Sequence, residues 1–128
     1  MLKITSNPNN ISEVEGYLQE LMRELDINNN RYPDILISLT EAVNNAIIHG
    51  NKKDERKTVR IACKSNENGV AFRVSDEGCG FDHNAIPDPT SPEKIECCGG
   101  RGVLIMNALA DELCYRDNGR TVEMYFKY

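Results

Sequence analysis

Apolar residues return at helical spacing in two early stretches of the chain. Ile11, Val14, Leu18, Leu21, Met22 and Leu25 recur every three or four positions, which predicts a first helix over roughly 12 to 25, with Ser12 and Glu15 at capping-box spacing. After the polar run "DINNNR", Pro33 suits the first turn of a second helix. That helix carries "LTEAVNNAIIHGN", residues 39 to 51, with Leu39, Val43, Ala46 and Ile47 at core spacing. From Thr58 the period drops to two. Val59, Ile61 and Cys63 alternate with Thr58, Arg60, Ala62 and Lys64, and beyond the turn "NENG" Val70, Phe72 and Val74 alternate again, so this pair predicts an antiparallel hairpin. "LKIT" at 2 to 5 reads as a short strand. Near the end, "DELCYR" and a strand with Val122, Met124 and Phe126 on one face flank a turn at Asn118-Gly119.

Between these regions, residues 76 to 101 hold Gly78, Gly80, Gly99 and Gly100 with Pro87, Pro89 and Pro92 and show no clear period. A stretch this long without a pattern inside a compact domain is usually functional. A third helix is predicted from Gly102, with Val103, Met106, Leu109 and Ala110 on its buried side. The predicted fold class is α/β (α+β): a two-layer sandwich in which a mostly antiparallel mixed sheet packs on three helices. All of it belongs to one domain, 1–128, with no internal repeat and no linker.

Bulk properties narrow the setting. A chain of 128 residues with 40% hydrophobic and 27% charged positions has an ordinary globular composition and is long enough to bury about two-thirds of its unfolded surface. The net charge of −5 argues against direct nucleic-acid binding, which needs clustered Lys and Arg. No apolar run approaches the ~20 residues of a membrane span and no signal peptide precedes Met1, so the expected location is cytoplasmic. The five cysteines, at 63, 79, 97, 98 and 114, lack the Cys-x-x-Cys spacing of a zinc site. They are expected to be reduced thiols, the vicinal Cys97-Cys98 included.

Three motifs carry candidate chemistry. In the second helix Glu41, Asn45 and His49 stand at four-residue intervals and would form one polar column on an otherwise apolar helix. A solvated face explains such a column as readily as a site does. In "SDEGCGFD", Asp76 ends a strand while Gly78 and Gly80 allow a tight turn or a close approach to a ligand. In "GGRGVLIMNALADE", Gly99, Gly100 and Gly102 precede a predicted helix whose free amides could hold phosphate. It is neither a Walker loop nor Gly-x-Gly-x-x-Gly.

Together, in this order, "EAVNNAIIHG", "DEGCGF" and "GGRG" resemble the N, G1 and G2 boxes of the GHKL ATPases, the superfamily that includes gyrase and the histidine kinases. Over essentially its full length the chain is similar to the bacterial anti-sigma factor serine kinases of the RsbW and SpoIIAB type, through "EAVNNAIIHGN", "FDHNAIPDPTSPE" and "GRGVLIMNALADEL". The resemblance implies a Bergerat-type ATP-binding fold using ATP and Mg²⁺. It makes Glu41 the general base and Asn45 the Mg²⁺ ligand. Asp76 becomes the acceptor for the adenine amino group, Gly78 and Gly80 give clearance for the base, and Gly100, Arg101 and Gly102 form the phosphate-binding turn. Thr121 lies near adenine, and residues 82–101 form an ATP lid. His49 is left either near the base of that lid or simply packed. The implied partners are a sigma factor and a STAS-domain antagonist phosphorylated on Ser or Thr, with a homodimer common in the family. Two function classes stay open: a protein kinase that sequesters a sigma factor, and a nucleotide-dependent binding module of the same fold without phosphotransfer. Glu41 favours the first, since a pure binding module needs no base.

Overall fold

A computed structural model describes residues 1–78, 109–116 and 119–128. The strands are β1 (Leu2–Thr5), β2 (Thr58–Asn66), β3 (Gly69–Ser75), β4 (Glu112–Arg116) and β5 (Thr121–Lys127), and the helices are α1 (Ile11–Glu24) and α2 (Tyr32–Asn45). The strands form one sheet in the order β1-β2-β3-β5-β4, and all four pairings are antiparallel. This is the predicted two-layer α/β class. Of the predicted third helix, residues 102–108 lie outside the described residues, and Leu109 and Ala110 are half-buried.

Register explains which face is covered. Ile61, Val74 and Val122 are paired across three strands, as are Cys63, Phe72 and Met124, so the period-two apolar positions fall on one side. That side meets Val14, Leu18 and Met22 of α1 and Ile35, Leu39 and Val43 of α2, all buried. Phe72 and Phe126 meet edge to face with centroids 6.4 Å apart. The other side of the sheet is polar. Arg73 and Arg116 both donate to Glu123 Oε1, at 2.7 and 2.8 Å.

The capping box does not form. A 3₁₀ turn over Pro8–Asn10, capped by the Asn7 side chain, runs directly into α1, whose N-cap Asn10 makes no side-chain capping bond. Ser12 already lies inside the helix and its hydroxyl donates back to the Asn9 carbonyl at 3.2 Å. Pro8 had opened the turn one step earlier than the Ser/Glu spacing suggested. At the start of α2, Arg31 anchors the helix to the far edge of the sheet. It pairs with Asp34 at 3.2 Å and with Asp111 at 3.1 Å, while its guanidinium carbon stands 5.7 Å from the centre of the Phe126 ring.

Candidate functional site

Glu41 and Asn45 lie on the regular part of α2, about 6 Å apart along its axis, and both are half-buried. Beyond Asn45 the helix widens into a π turn over Ala46–Gly50, and the Asn51 N–H bonds the Ala46 carbonyl five residues back at 2.8 Å. A residue four positions on no longer completes a turn there. His49 lies within this turn and is exposed, whereas Glu41 and Asn45 are half-buried.

The π turn delivers Asn51 to a buried position, 1% exposed. Its amide nitrogen donates to Ser6 Oγ at 2.8 Å and to the Thr58 carbonyl at 3.0 Å, and its amide oxygen accepts the Glu77 N–H at 2.7 Å. One side chain thus ties the end of the helix to the residues after β1, at the start of β2 and after β3. Lys52 and Lys53 follow with φ of 53° and 60°, the left-handed conformation in which a helix end turns its chain away.

Asp76 is thereby seated against the end of this helix. A side chain at Gly50 would overlap the Asp76 carboxylate, and one at Gly78 would overlap the Gly50 carbonyl. Gly78 is thus required for helix–loop contact, a reason additional to the clearance that the resemblance implies. Asp76 Oδ1 accepts the Gly78 N–H at 2.8 Å, and the Asp76 N–H donates to the Arg120 carbonyl at 2.9 Å. Burial raises the Asp76 carboxyl above its usual range, opposed by the Gly78 N–H and the charges of Arg120 and Lys57. Asp76 and Thr121 line one cavity of about 480 Å³ at the ends of the strands, with Thr58, Arg60, Ser75, Glu77 and Arg120. Thr121 is 5% exposed, with its hydroxyl 3.0 Å from Ser75 Oγ. Glu77 accepts from the Thr58 N–H and hydroxyl, which lowers its carboxyl below the usual range.

The structure brings Asp76 and Thr121 together on the cavity wall and joins Asp76 to the end of the helix bearing Glu41 and Asn45. Glu41 and Asn45 are not among that cavity's lining residues. Gly80, Gly100, Arg101 and Gly102, the predicted lid at 82–101 and Cys97-Cys98 lie outside the described residues. Burial pushes the Cys63 thiol up to about 11, so it is a packing residue at neutral pH rather than a nucleophile. Among the described residues no group of three His, Cys, Asp or Glu side chains could hold a metal ion. Sequence reasoning missed Asn51 and Arg120. Asn51 carried a faint signal, as a polar residue directly after His49-Gly50 where the apolar stripe should end. Gly50→Ala is expected to cost about 1–3 kcal/mol, because its methyl has no space beside Asp76. Urea unfolding measures this, and an unchanged midpoint would contradict the close approach.

The histidine kinase-like ATPase domain family matches residues 4–126. An anti-sigma F factor of Clostridium perfringens (strain SM101) is 31% identical over 124 residues, covering 91% of this chain and 88% of that protein. The serine-protein kinase RsbW of Staphylococcus epidermidis is 30% identical over 99 residues, 71% of this chain and 62% of its own length. An anti-sigma F factor of Clostridium novyi is 29% identical over 115 residues, 88% of this chain and 80% of its own.

Proposed function

Because the chain belongs to the histidine kinase-like ATPase domain family, in the group of anti-sigma F factors and RsbW serine-protein kinases, we propose that it is an ATP-dependent anti-sigma regulatory kinase. It binds a sigma factor and phosphorylates a STAS-domain antagonist on Ser or Thr. The observation that carries this reading is Asp76: a half-buried carboxylate on the wall of a 480 Å³ cavity, packed without intervening side chains against the helix that bears Glu41 and Asn45. A cavity of this size suits a nucleoside. Its donor set suits adenine, since an ionised carboxylate offers acceptors only and the adenine amino group is a donor.

The chemistry follows from placement. Asn45 would supply one amide oxygen to Mg²⁺, whose charge would offset that of the phosphates. One turn away, Glu41 accepts the proton of the acceptor hydroxyl as its oxygen bonds to the γ-phosphorus, and the bond to the β-bridging oxygen breaks to release ADP. The test is incubation with γ-labelled ATP, Mg²⁺ and a candidate STAS protein. Label on a Ser or Thr of the partner is expected. Tight ATP binding with no transfer to any STAS protein would leave a nucleotide-dependent binding module instead.

Asp76→Asn separates binding from stability. A carboxyl raised in the fold holds its proton more tightly folded than unfolded, so ionising it costs stability as pH rises from the unfolded value of ~3.9 through the folded one. The amide removes that cost. The variant is expected to be at least as stable as the parent at pH 7, and to lose the pH-linked decline. It should nonetheless bind ATP more weakly by about 1–3 kcal/mol, because one acceptor becomes a donor facing the adenine amino group. Thermal melts at pH 4 and 7, with calorimetry against ATP and GTP, check both halves.

A further inference from the structure

We propose that Arg120 is a second base-reading residue: its guanidinium donates to adenine N1 while the Asp76 carboxylate accepts from the adjacent amino group. This rests on the ATP reading above and adds to it a residue and a specificity rule. Arg120 and Asp76 line the same cavity from neighbouring strands, Arg120 just before β5 and Asp76 just after β3. The 2.9 Å bond from the Asp76 N–H to the Arg120 carbonyl holds the two backbones in register, so both side chains start from one end of the sheet. Thr121 next to it is buried, whereas Arg120 is exposed. The other charged groups of the wall are Arg60, on β2, and Glu77, whose carboxylate is occupied by Thr58.

The pair matches one purine and opposes the other. Along its pairing edge adenine offers a donor, the amino group, next to an acceptor, N1. Guanine offers the reverse, an O6 acceptor next to an N1–H donor. A carboxylate beside a guanidinium is an acceptor beside a donor that cannot give up its proton. It satisfies adenine at both points and sets oxygen against oxygen and N–H against N–H for guanine. With Asp76 alone only one of those mismatches would exist.

The test uses 1-deaza-ATP, in which a C–H replaces N1 and nothing else changes. Calorimetry on the full chain is expected to show about tenfold weaker binding than ATP. Arg120→Ala should bind ATP and the analogue equally, both near the weaker value, while circular dichroism shows the fold intact. Arg120→Lys, which keeps a donor, should restore part of the difference. Equal binding of ATP and 1-deaza-ATP by the parent protein would overturn the proposal, as would a tenfold preference that survives in Arg120→Ala. A parent protein that binds neither nucleotide overturns the ATP reading itself, an outcome distinct from ATP binding without discrimination at N1.

Discussion

Glu41→Ala is expected to slow phosphate transfer to a STAS partner about 10²–10⁴-fold while changing ATP affinity by no more than about twofold. The carboxylate sits half-buried on α2 one turn before Asn45 and is not among the residues that line the Asp76 cavity. Its removal therefore takes away proton acceptance and little else. Asn45→Ala is the contrasting variant. It should weaken Mg²⁺-dependent ATP binding and transfer together, since a residue proposed to ligate the metal would serve both the ground state and the transition state. Single-turnover transfer assays and calorimetry on the two variants read the split. Wild-type transfer by Glu41→Ala would remove the base assignment, and loss of ATP binding in it would assign Glu41 to the metal instead.

Asn51→Leu is expected to destabilise the protein by about 3–5 kcal/mol, a large share of the 5–15 kcal/mol that holds a typical domain together. Leucine keeps the branching of asparagine at a larger volume, and it leaves the Ser6 hydroxyl, the Thr58 carbonyl and the Glu77 N–H without the partner that each has at 2.7–3.0 Å. These groups belong to three segments distant in sequence, so the loss loosens their junction rather than one turn. A fall in Tm of about 10–20 °C corresponds to that energy for a chain of this length. Ser6→Ala, which removes one bond of the set and leaves the Lys57 carbonyl without the Ser6 hydroxyl, should cost about 1 kcal/mol. A drop in Asn51→Leu no larger than in Ser6→Ala would mean that water takes over the vacated bonds.

Much of the architecture was legible because it is periodic. The alternation at Val59–Ile61–Cys63 and Val70–Phe72–Val74 reports a sheet with one covered face, and β2 pairs with β3 as that alternation predicted. The i, i+3, i+4 recurrence from Val14 to Met22 reports α1 in the same way. What was not legible depends on contacts without a period. Pro8 and Asn7 displaced the start expected at Ser12 by forming a turn of their own. The widening after Asn45 is invisible to a 3.6-residue template. The reason for Gly78 lies 28 positions back at Gly50, a backbone contact that no local pattern encodes. Arg120 escaped notice because an exposed arginine beside a hairpin turn looks like any other solvated charge. Its place on the cavity wall appears only once β3 and β5 are paired.

The π turn over Ala46–Gly50 can also be understood as slack, one residue more than an α-helix needs to cover the same distance. Deleting any one of these five residues lets the backbone close with four-residue bonds, so the helix itself survives. Residues beyond a deletion at 46–49 keep their places, since the turn gives up only its extra residue. Asn51 still reaches Ser6, Thr58 and Glu77, whereas loss of Gly50 itself sets a side chain against Asp76. The exposed turn at 52–56 lies beyond all of these contacts and can gain or lose a residue with far less consequence. Loss of one residue is therefore expected to be tolerated at 46–49 as well as in that turn, and barred at Gly50 and Asn51. Those two fixed residues mark the boundary between the helix that bears Glu41 and Asn45 and the loop that returns the chain to the sheet.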